Sequence, residues 1–232
     1  MKANRYGTFL TVLLVIIIIA IIVGVGFIVY RNVIKENAEE TEKAMAMVNF
    51  EKLREGLEDG TYRDADGNII KIDAPDKVNP GKGNGGTGGT TAAPKKEYYN
   101  GYVMIGTIKI PKTGAEYPIL EKGTDKALEV SVAVMYPDNA ILKLNQPGNV
   151  VIMGHNYRNG KFFSNNKKLG TGDIVEITSY TGTRTYSIYE IFETTPNDTG
   201  FINRNTNGET EITLSTCTDD GTRRLIILAR AI

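Results

Sequence analysis

The feature that most constrains this chain is an uncharged apolar run near its N-terminus, Phe9–Tyr30, with the sequence FLTVLLVIIIIAIIVGVGFIVY. A helix needs roughly 20 apolar residues to cross a hydrocarbon core about 30 Å thick, and this run is long enough. A cleaved signal peptide would have an apolar core of only about 7–15 residues, followed by a small-residue cleavage site. The run therefore predicts an uncleaved membrane anchor.

The charges around this run bear on its orientation. Basic residues lie on both sides, Lys2 and Arg5 before it and Arg31 and Lys35 after it, so the positive-inside count does not decide. A tail as short as residues 1–8 is easily retained in the cytoplasm while the rest is translocated. We therefore expect a single-pass protein of the cell membrane, with its N-terminus inside and its large C-terminal portion outside.

The remaining chain divides by composition into three parts. Residues 31–60 are rich in good helix formers and end at a glycine, which predicts a helical stalk. Residues 61–96 form a linker that is rich in Gly, Pro and Thr and has too little apolar surface to offset its ordering entropy. The first part of this linker either forms a short hairpin turned at Asp66-Gly67 or has no regular structure. Residues 97–232 then form the folded domain.

Within that domain, short apolar alternations are separated by turn residues, and one weak helical segment is predicted at Asp125–Val130. This pattern is typical of an all-β barrel or sandwich with short helical connections. The predicted strands lie near Met104–Ile110, Glu116–Leu120, Val150–Met153, Asp173–Thr178, Thr185–Glu193, Glu211–Cys217 and Arg224–Ala231.

Composition also excludes several classes of function. The 27 basic residues balance the 27 acidic ones, so the chain lacks the basic surplus of a nucleic-acid-binding domain. Cys217 is the only cysteine and cannot form an internal disulfide. With His155, the only histidine, it cannot make a four-ligand zinc site either. We therefore expect no nucleic acid, no metal and no cofactor.

The single cysteine stands at the end of a predicted strand, in TLSTCTDDGTRRLIIL. If Asp220-Gly221 forms a two-residue type I′ turn, Cys217 faces Arg224 across the hairpin. A slip of one residue would place Arg223 there instead. A fixed cation favours the thiolate form of a cysteine and can stabilise an oxyanion. This pairing indicates a nucleophilic site.

A cysteine nucleophile also needs a group that accepts and donates a proton. His155 follows an apolar strand and Gly154, so it lies where a strand enters a loop, a common location for catalytic groups. Either residue alone is more often structural than catalytic. Together, in an exported domain where an unpaired thiol is exposed to oxidation, they predict a Cys–His site.

The motifs TLSTC (residues 213–217), GHN (154–156) and the arginine before LIIL (225–228) resemble those of the sortases, membrane-anchored cysteine transpeptidases of Gram-positive bacteria. The resemblance covers roughly residues 100–232 and implies an eight-stranded β-barrel. It implies that Cys217 is the nucleophile, His155 the general acid and base, and Arg224 the group that stabilises substrate and oxyanion.

The same resemblance implies the substrates. Such enzymes cleave a secreted surface protein at an LPxTG-like sorting motif, and pass the resulting thioester to an amine of a peptidoglycan precursor or a pilin lysine. We also expect Ser215, Thr216 and Asn156 to contact the substrate. Asp219 and Asp220 could orient His155, although turn chemistry already accounts for them.

The motifs are closest to class B, whose members carry a helical insertion before the cysteine strand. Here only NDTGFINRNTNGET fills that space, and no stretch resembles the lid of class C enzymes, so the sequence leaves the subclass unassigned. Two other functions use the same features. A hydrolytic extracytoplasmic cysteine peptidase would release its product to water, and a non-catalytic, membrane-tethered β-barrel assembly module would carry an inert Cys217.

Overall fold

The structure is a computed structural model. It describes residues 5–55, 61–63, 69–71, 96–135 and 144–232. Its first element, α1 (Arg5–Glu55), contains a stretch with a mean hydropathy of 3.5, which is long and apolar enough to cross a membrane. This helix is compatible with the predicted anchor. It also covers most of the predicted stalk, whose last residues, 56–60, lie outside the described residues.

The remaining helices and strands are short. The strands, in chain order, are β1 (Thr61–Arg63), β2 (Ile69–Lys71), β3 (Glu97–Tyr99), β4 (Tyr102–Ile110), β5 (Ala115–Leu120), β6 (Val132–Val134), β7 (Gly148–Met153), β8 (Ile174–Ser179), β9 (Gly182–Thr194), β10 (Thr210–Cys217) and β11 (Arg224–Ala231). The helical segments are α2 (Asp125–Leu128) and two 3₁₀ turns, Pro111–Thr113 and Asn166–Lys168.

Most of these strands close into a barrel. Among the described residues, one sheet has the order β3-β4-β5-β6-β7-β10-β11-β9-β8, and β4 also pairs with β8, for instance Ile108 with Ile177. The eight strands from β4 round to β8 therefore form a closed barrel, with β3 added beside β4. This confirms the predicted all-β barrel. The predicted strands are all present with slightly different ends, whereas β3 and β6 were not predicted.

The linker holds one piece of regular structure. Strands β1 and β2 pair antiparallel, with Tyr62 opposite Ile70, as the hairpin alternative for this segment predicts. The predicted turn at Asp66-Gly67 lies outside the described residues, as does the Gly-rich stretch from 72 to 95.

Strands β7, β10 and β11 are the part of the barrel that positions the site. Strand β10 runs parallel to β7 and antiparallel to β11. Because side chains alternate along a strand, one set points into the barrel and the other points outward. The inward set belongs to the main core and comprises Val150, Ile152, Ile212, Leu214, Ile227 and Ala229.

The outward set of these strands is partly covered by the segment between β9 and β10. Phe201 from this segment packs with Val151, Ile226 and Leu228 in a second, smaller apolar cluster. On the same outward face, Asn149 donates from its amide to the carbonyl oxygens of Phe201 and Ile202. The part of this outward face that holds Val151, Ile226 and Leu228 is therefore covered by protein.

The end of α1 contributes to the barrel's core. Residues up to Ala44 and residues from Met45 onward form two compact units, and the second unit holds Ala46 and Phe50. Phe50 is fully buried, with its ring centroid 4.8 Å from that of Tyr180. The predicted start of the domain at residue 97 stays a prediction, but the core also includes this helical segment.

Candidate active site

Cys217 and Arg224 are cross-strand neighbours at the turn end of the β10–β11 hairpin. Arg224 Nη1 lies 2.8 Å from Cys217 Sγ, and the cysteine is partly exposed. The neighbouring Arg223 instead contacts Glu193, with Nε 3.3 Å from its carboxylate and Nη2 donating to its carbonyl oxygen at 2.9 Å. The register prediction is therefore confirmed, and the alternative that Arg223 faces the thiol is wrong.

The turn that sets this register differs from the predicted type I′ turn. That type needs a positive φ at both central residues, but Gly221 has a φ of 72° and Asp220 does not have a positive φ. Instead, Gly221 N–H donates to Thr218 O at 2.9 Å, and Thr218 N–H donates to Arg223 O at 3.1 Å. The loop is thus longer by one residue on each side, which leaves the pairing of Cys217 unchanged.

His155 reaches the same end of the sheet along the parallel strand β7. Met153 pairs with Ser215, and Gly154 N–H extends the ladder with a bond to Ser215 O at 3.2 Å. His155 follows two residues after Met153, just beyond the end of β7 and beside the strand that carries Cys217. Cys217 belongs to the outward-facing set of β10.

The imidazole of His155 makes a ring contact rather than a bond to sulfur. Its ring lies 4.8 Å from the ring of Tyr157 at an angle of 26°, in a stacked arrangement. In the described part of the chain, no hydrogen bond joins the imidazole to Cys217. His155 O accepts a bond from Phe163 N–H at 3.1 Å, which folds the following loop back on itself.

Close packing around position 154 explains why the GHN motif has a glycine there. A Cβ atom at this position would lie 2.8 Å from the ring of Phe163 and 2.9 Å from Val132 Cγ1, closer than real contacts. The absent side chain lets Phe163 pack directly beneath the residue before His155. A larger residue would displace either this ring or the end of β7.

A cavity of about 270 Å³ opens beside the thiol. It brings Cys217, Thr216 and Asn156 together, whereas Ser215, His155 and Arg224 are not among its lining residues. The lining comprises Asn156, Phe163, Lys167, Glu193, Thr216, Cys217, Thr218, Asp219 and Leu225.

The three predicted substrate-binding residues have different surroundings. Thr216 is buried, and its Oγ1 has no hydrogen-bond partner within the described structure. Ser215 shares the face of Cys217, as predicted, but is only 4 % exposed. Asn156 directs its amide to Cys217 O at 3.0 Å. Substrate contact stays a prediction for all three.

The cavity also contains charged residues that the sequence analysis did not assign to the site. Lys167 comes from a 3₁₀ turn, and its Nζ lies 2.5 Å from Asp219 Oδ2. Glu193 is opposite Leu225 in the β9–β11 ladder, so the strand register alone could have placed it. The hydrogen bonds of Asp219 with Lys167 and then Asn156 hold the pKa of that carboxyl below its usual value.

Burial also acts on Tyr157, which stacks on His155. Burial, and then the charge of Glu129, raise the pKa of its phenol.

Within the residues that the structure describes, no group of three or more His, Cys, Asp or Glu side chains could hold a metal ion. The reactive groups that the site residues contribute are a thiol, an imidazole and a guanidinium.

Comparison with known proteins bears on this arrangement. The family model of the sortase domain matches residues 108–232. Sortase A of Bacillus anthracis is 30 % identical over 127 residues, which cover 53 % of this chain and 58 % of that protein. The chain thus aligns with little more than half the length of this curated relative.

Solved structures agree with this match. A lid mutant of sortase A from Corynebacterium diphtheriae is 28 % identical with a TM-score of 0.51, and the match covers 56 % of this chain and 70 % of that one. Sortase C1 of Streptococcus agalactiae matches at 24 % identity with a TM-score of 0.51, over 56 % of this chain and 67 % of that one, and shows the fold alone. Because the family match spans more than half of the chain, this protein belongs to the sortase family, as its motifs predicted.

Proposed function

We propose that this chain is a membrane-anchored cysteine transpeptidase. It cleaves an LPxTG-like sorting motif of secreted surface proteins between Thr and Gly. It then transfers the threonyl carbonyl to an amine of a cell-wall precursor or of a pilin lysine. The observation that carries the proposal is the 2.8 Å contact between Arg224 Nη1 and Cys217 Sγ beside an open cavity, in a domain of the sortase family.

In the first half of the reaction, the Cys217 thiolate attacks the threonyl carbonyl carbon. The carbonyl oxygen becomes an oxyanion, which Arg224 stabilises as a fixed donor of positive charge. When the C–N bond breaks, protonated His155 donates its proton to the departing glycine nitrogen. The product is a thioester on Cys217 and a free amino terminus.

In the second half, the acceptor amine attacks the thioester carbonyl. His155, now neutral, takes the proton that the amine loses, and the C–S bond breaks to release the Cys217 thiolate. The new amide joins the surface protein to its acceptor, and both side chains return to their starting protonation states. Covalent catalysis of this kind replaces one difficult step by two easier ones.

The test is a peptide-library cleavage assay with mass-spectrometric identification of products, with and without triglycine as the acceptor. A transpeptidase yields a triglycine adduct at the threonyl carbonyl. A hydrolytic peptidase yields only the cleaved acid. The Cys217→Ala variant must be inactive in both arms, and turnover by this variant contradicts the proposal.

A non-catalytic module would behave differently towards a thiol reagent. Activated Cys217 reacts with iodoacetamide at neutral pH faster than the thiol of the denatured chain, and His155→Ala or Arg224→Ala removes that advantage. Equal rates for native and denatured protein would leave only a structural role for the cysteine.

We also propose that the domain from residue 97 onward faces the cell exterior, with the tail of residues 1–8 in the cytoplasm and Phe9–Tyr30 across the membrane. Because Cys217 is the only cysteine, a membrane-impermeant maleimide reports on its side directly. Labelling of intact cells supports this topology. Labelling only after the cells are lysed contradicts it.

A further inference from the structure

The loop that carries His155 is bonded to the strand that carries Cys217 through the next residue. Asn156 donates from Nδ2 to Cys217 O at 3.0 Å and to Asp219 Oδ1 at 2.9 Å. Its Oδ1 accepts from Arg158 N–H at 3.1 Å. The side chain of Asn156 therefore connects the two segments that carry His155 and Cys217, and both of its amide N–H donors are used within the protein.

Asp219 is the other half of this connection. One carboxylate oxygen accepts from Asn156, and the other lies 2.5 Å from Lys167 Nζ. Its backbone carbonyl oxygen accepts from Arg158 Nη1 at 3.1 Å. One residue of the β10–β11 turn thus holds three groups that follow β7 in the sequence.

The turn is held together by side-chain hydrogen bonds to Asp220, which do not involve the Asp219 side chain. The neighbouring Asp220 accepts from Thr218 Oγ1 at 2.5 Å and from Thr222 N–H and Oγ1 at 3.1 and 2.7 Å. These bonds, the one from Thr218 first, lower the pKa of Asp220 to about 2. Two adjacent aspartates therefore have different partners, Asp220 within the turn and Asp219 across the site.

We propose that Asp219 is a positioning residue: acting through Asn156, it holds the His155 loop against the end of β10 and so fixes the distance between imidazole and sulfur. The inference rests on the proposed function, because that distance matters only for proton transfer and attack. An exposed ion pair such as Asp219–Lys167 contributes little to stability, so its effect is expected in the geometry of the site. A displacement of about 1 Å can reduce a reaction rate about 100-fold.

The experiment compares full-length variants in detergent micelles, with an LPxTG-type fluorogenic peptide and triglycine as substrates. Asp219→Ala is expected to lower kcat by about 10- to 100-fold with KM nearly unchanged, because binding remains while the catalytic pair is misplaced. Asp219→Asn keeps an acceptor for the Asn156 amide and should recover most of the loss. Asp220→Ala is the matched control, since it removes the same charge one residue away and affects only the turn.

A double variant tests the route of the effect. If Asp219 acts through Asn156, the Asn156→Ala/Asp219→Ala protein should be no slower than the slower single variant. Multiplied losses in the double variant would overturn the inference, because they would mean that the two residues act separately.

Two readouts do not depend on turnover. The Cε1–H resonance of His155 is the only histidine signal of the chain, and iodoacetamide reacts only with Cys217 among cysteines. Asp219→Ala should shift or broaden the resonance and slow the alkylation, whereas Asp220→Ala should not. If the wild type cleaves no peptide, the proposed function fails, while these two signals still test the positioning.

The inference is overturned if Asp219→Ala leaves kcat, the resonance and the alkylation rate as in the wild type. It is equally overturned if Asp220→Ala causes the same changes, because the loss would then follow from the turn alone.

Discussion

Each end of the β10–β11 hairpin has an arginine paired across the strands, but the two arginines have different kinds of partner. At one end Glu211 faces Arg230, and at the other Cys217 faces Arg224, in the same register and on the same outward face. Glu211 is 2 % exposed and bonds to Arg230 through Nε and Nη2, at 3.0 and 2.9 Å. It also contacts Arg204 at 2.7 Å and accepts from Tyr189 at 2.9 Å.

At the other end, Arg224 has no carboxylate partner within the described residues, and its hydrogen bond goes to a thiol that borders a cavity. The difference lies in what the charge is free to do. A buried carboxylate surrounded by donors fixes its arginines in place, whereas a guanidinium beside a thiol keeps donors for a substrate. The same cross-strand geometry thus supports stability at one end and, under the proposed function, catalysis at the other.

The largest expected effect comes from replacing Arg224 with lysine. Arg224→Lys should reduce kcat/KM by about 100- to 1,000-fold, because a point charge does not reproduce the planar fork that faces sulfur and oxyanion. Arg230→Lys is the control and should leave kcat/KM nearly unchanged. Near-normal peptide cleavage by the Arg224 variant would exclude the role proposed for that residue.

A second test concerns the stability of the other end. Glu211→Ala leaves Arg204 and Arg230 without their common partner and should cost about 3–5 kcal/mol in the free energy of unfolding. Urea unfolding of the full chain in detergent measures this loss. Glu209→Ala removes an exposed carboxylate nearby and should change stability by less than about 0.5 kcal/mol. Similar losses in both variants would contradict the importance of the buried network.

The stability of the protein should depend on pH through the protonation of Glu211. Burial by itself raises the pKa of Glu211, but the bonds from Arg230, Arg204 and Tyr189 outweigh it and leave the pKa below its usual 4.5. A lowered pKa means that this stabilisation is present above about pH 4.5 and is lost as the pH falls through the lowered value. The difference in unfolding free energy between wild type and Glu211→Gln should therefore shrink on acidification. A constant difference would show that Glu211 does not titrate in this way.

The smallest expected effect comes from Tyr189→Phe. The phenol donates to Glu211 and accepts from Arg204 Nη1 at 2.7 Å, while its ring lies 5.0 Å from the Arg230 guanidinium. Phenylalanine keeps the ring contact and loses the hydroxyl bonds, so we expect a loss of about 1 kcal/mol, measured by urea unfolding. A loss as large as that of Glu211→Ala would mean that the hydroxyl, rather than the ion pairs, holds this end together.

The site could be predicted from the sequence as far as local pairing extends. The pairing of Cys217 with Arg224 follows from the position of Asp220-Gly221, and it survives although the turn is of another kind, because the loop is extended equally on both sides. By contrast, the contact of Lys167 with Asp219 joins residues far apart in the sequence and depends on how a 3₁₀ turn packs, which no local pattern reports.

The fold shows the same division. Strand β6 has three residues, all buried, so it offers neither length nor alternation to detect. The burial of Phe50 was missed because residues 31–60 have the composition of a free-standing helix. The spacing of Ala46 and Phe50, four residues apart on one helical face, was a signal that this part of the helix packs against the domain.

The alternation of faces along β10 has a consequence for how the length of this protein can change. Successive side chains of a strand point to opposite faces. Inserting or deleting one residue between Glu211 and Cys217 would therefore turn either the Cys217 sulfur or the Glu211 carboxylate into the apolar interior. Natural or engineered length variants should therefore be tolerated less inside this strand than in the connections between strands. The number of residues between Glu211 and Cys217 must therefore stay constant for both to face outward.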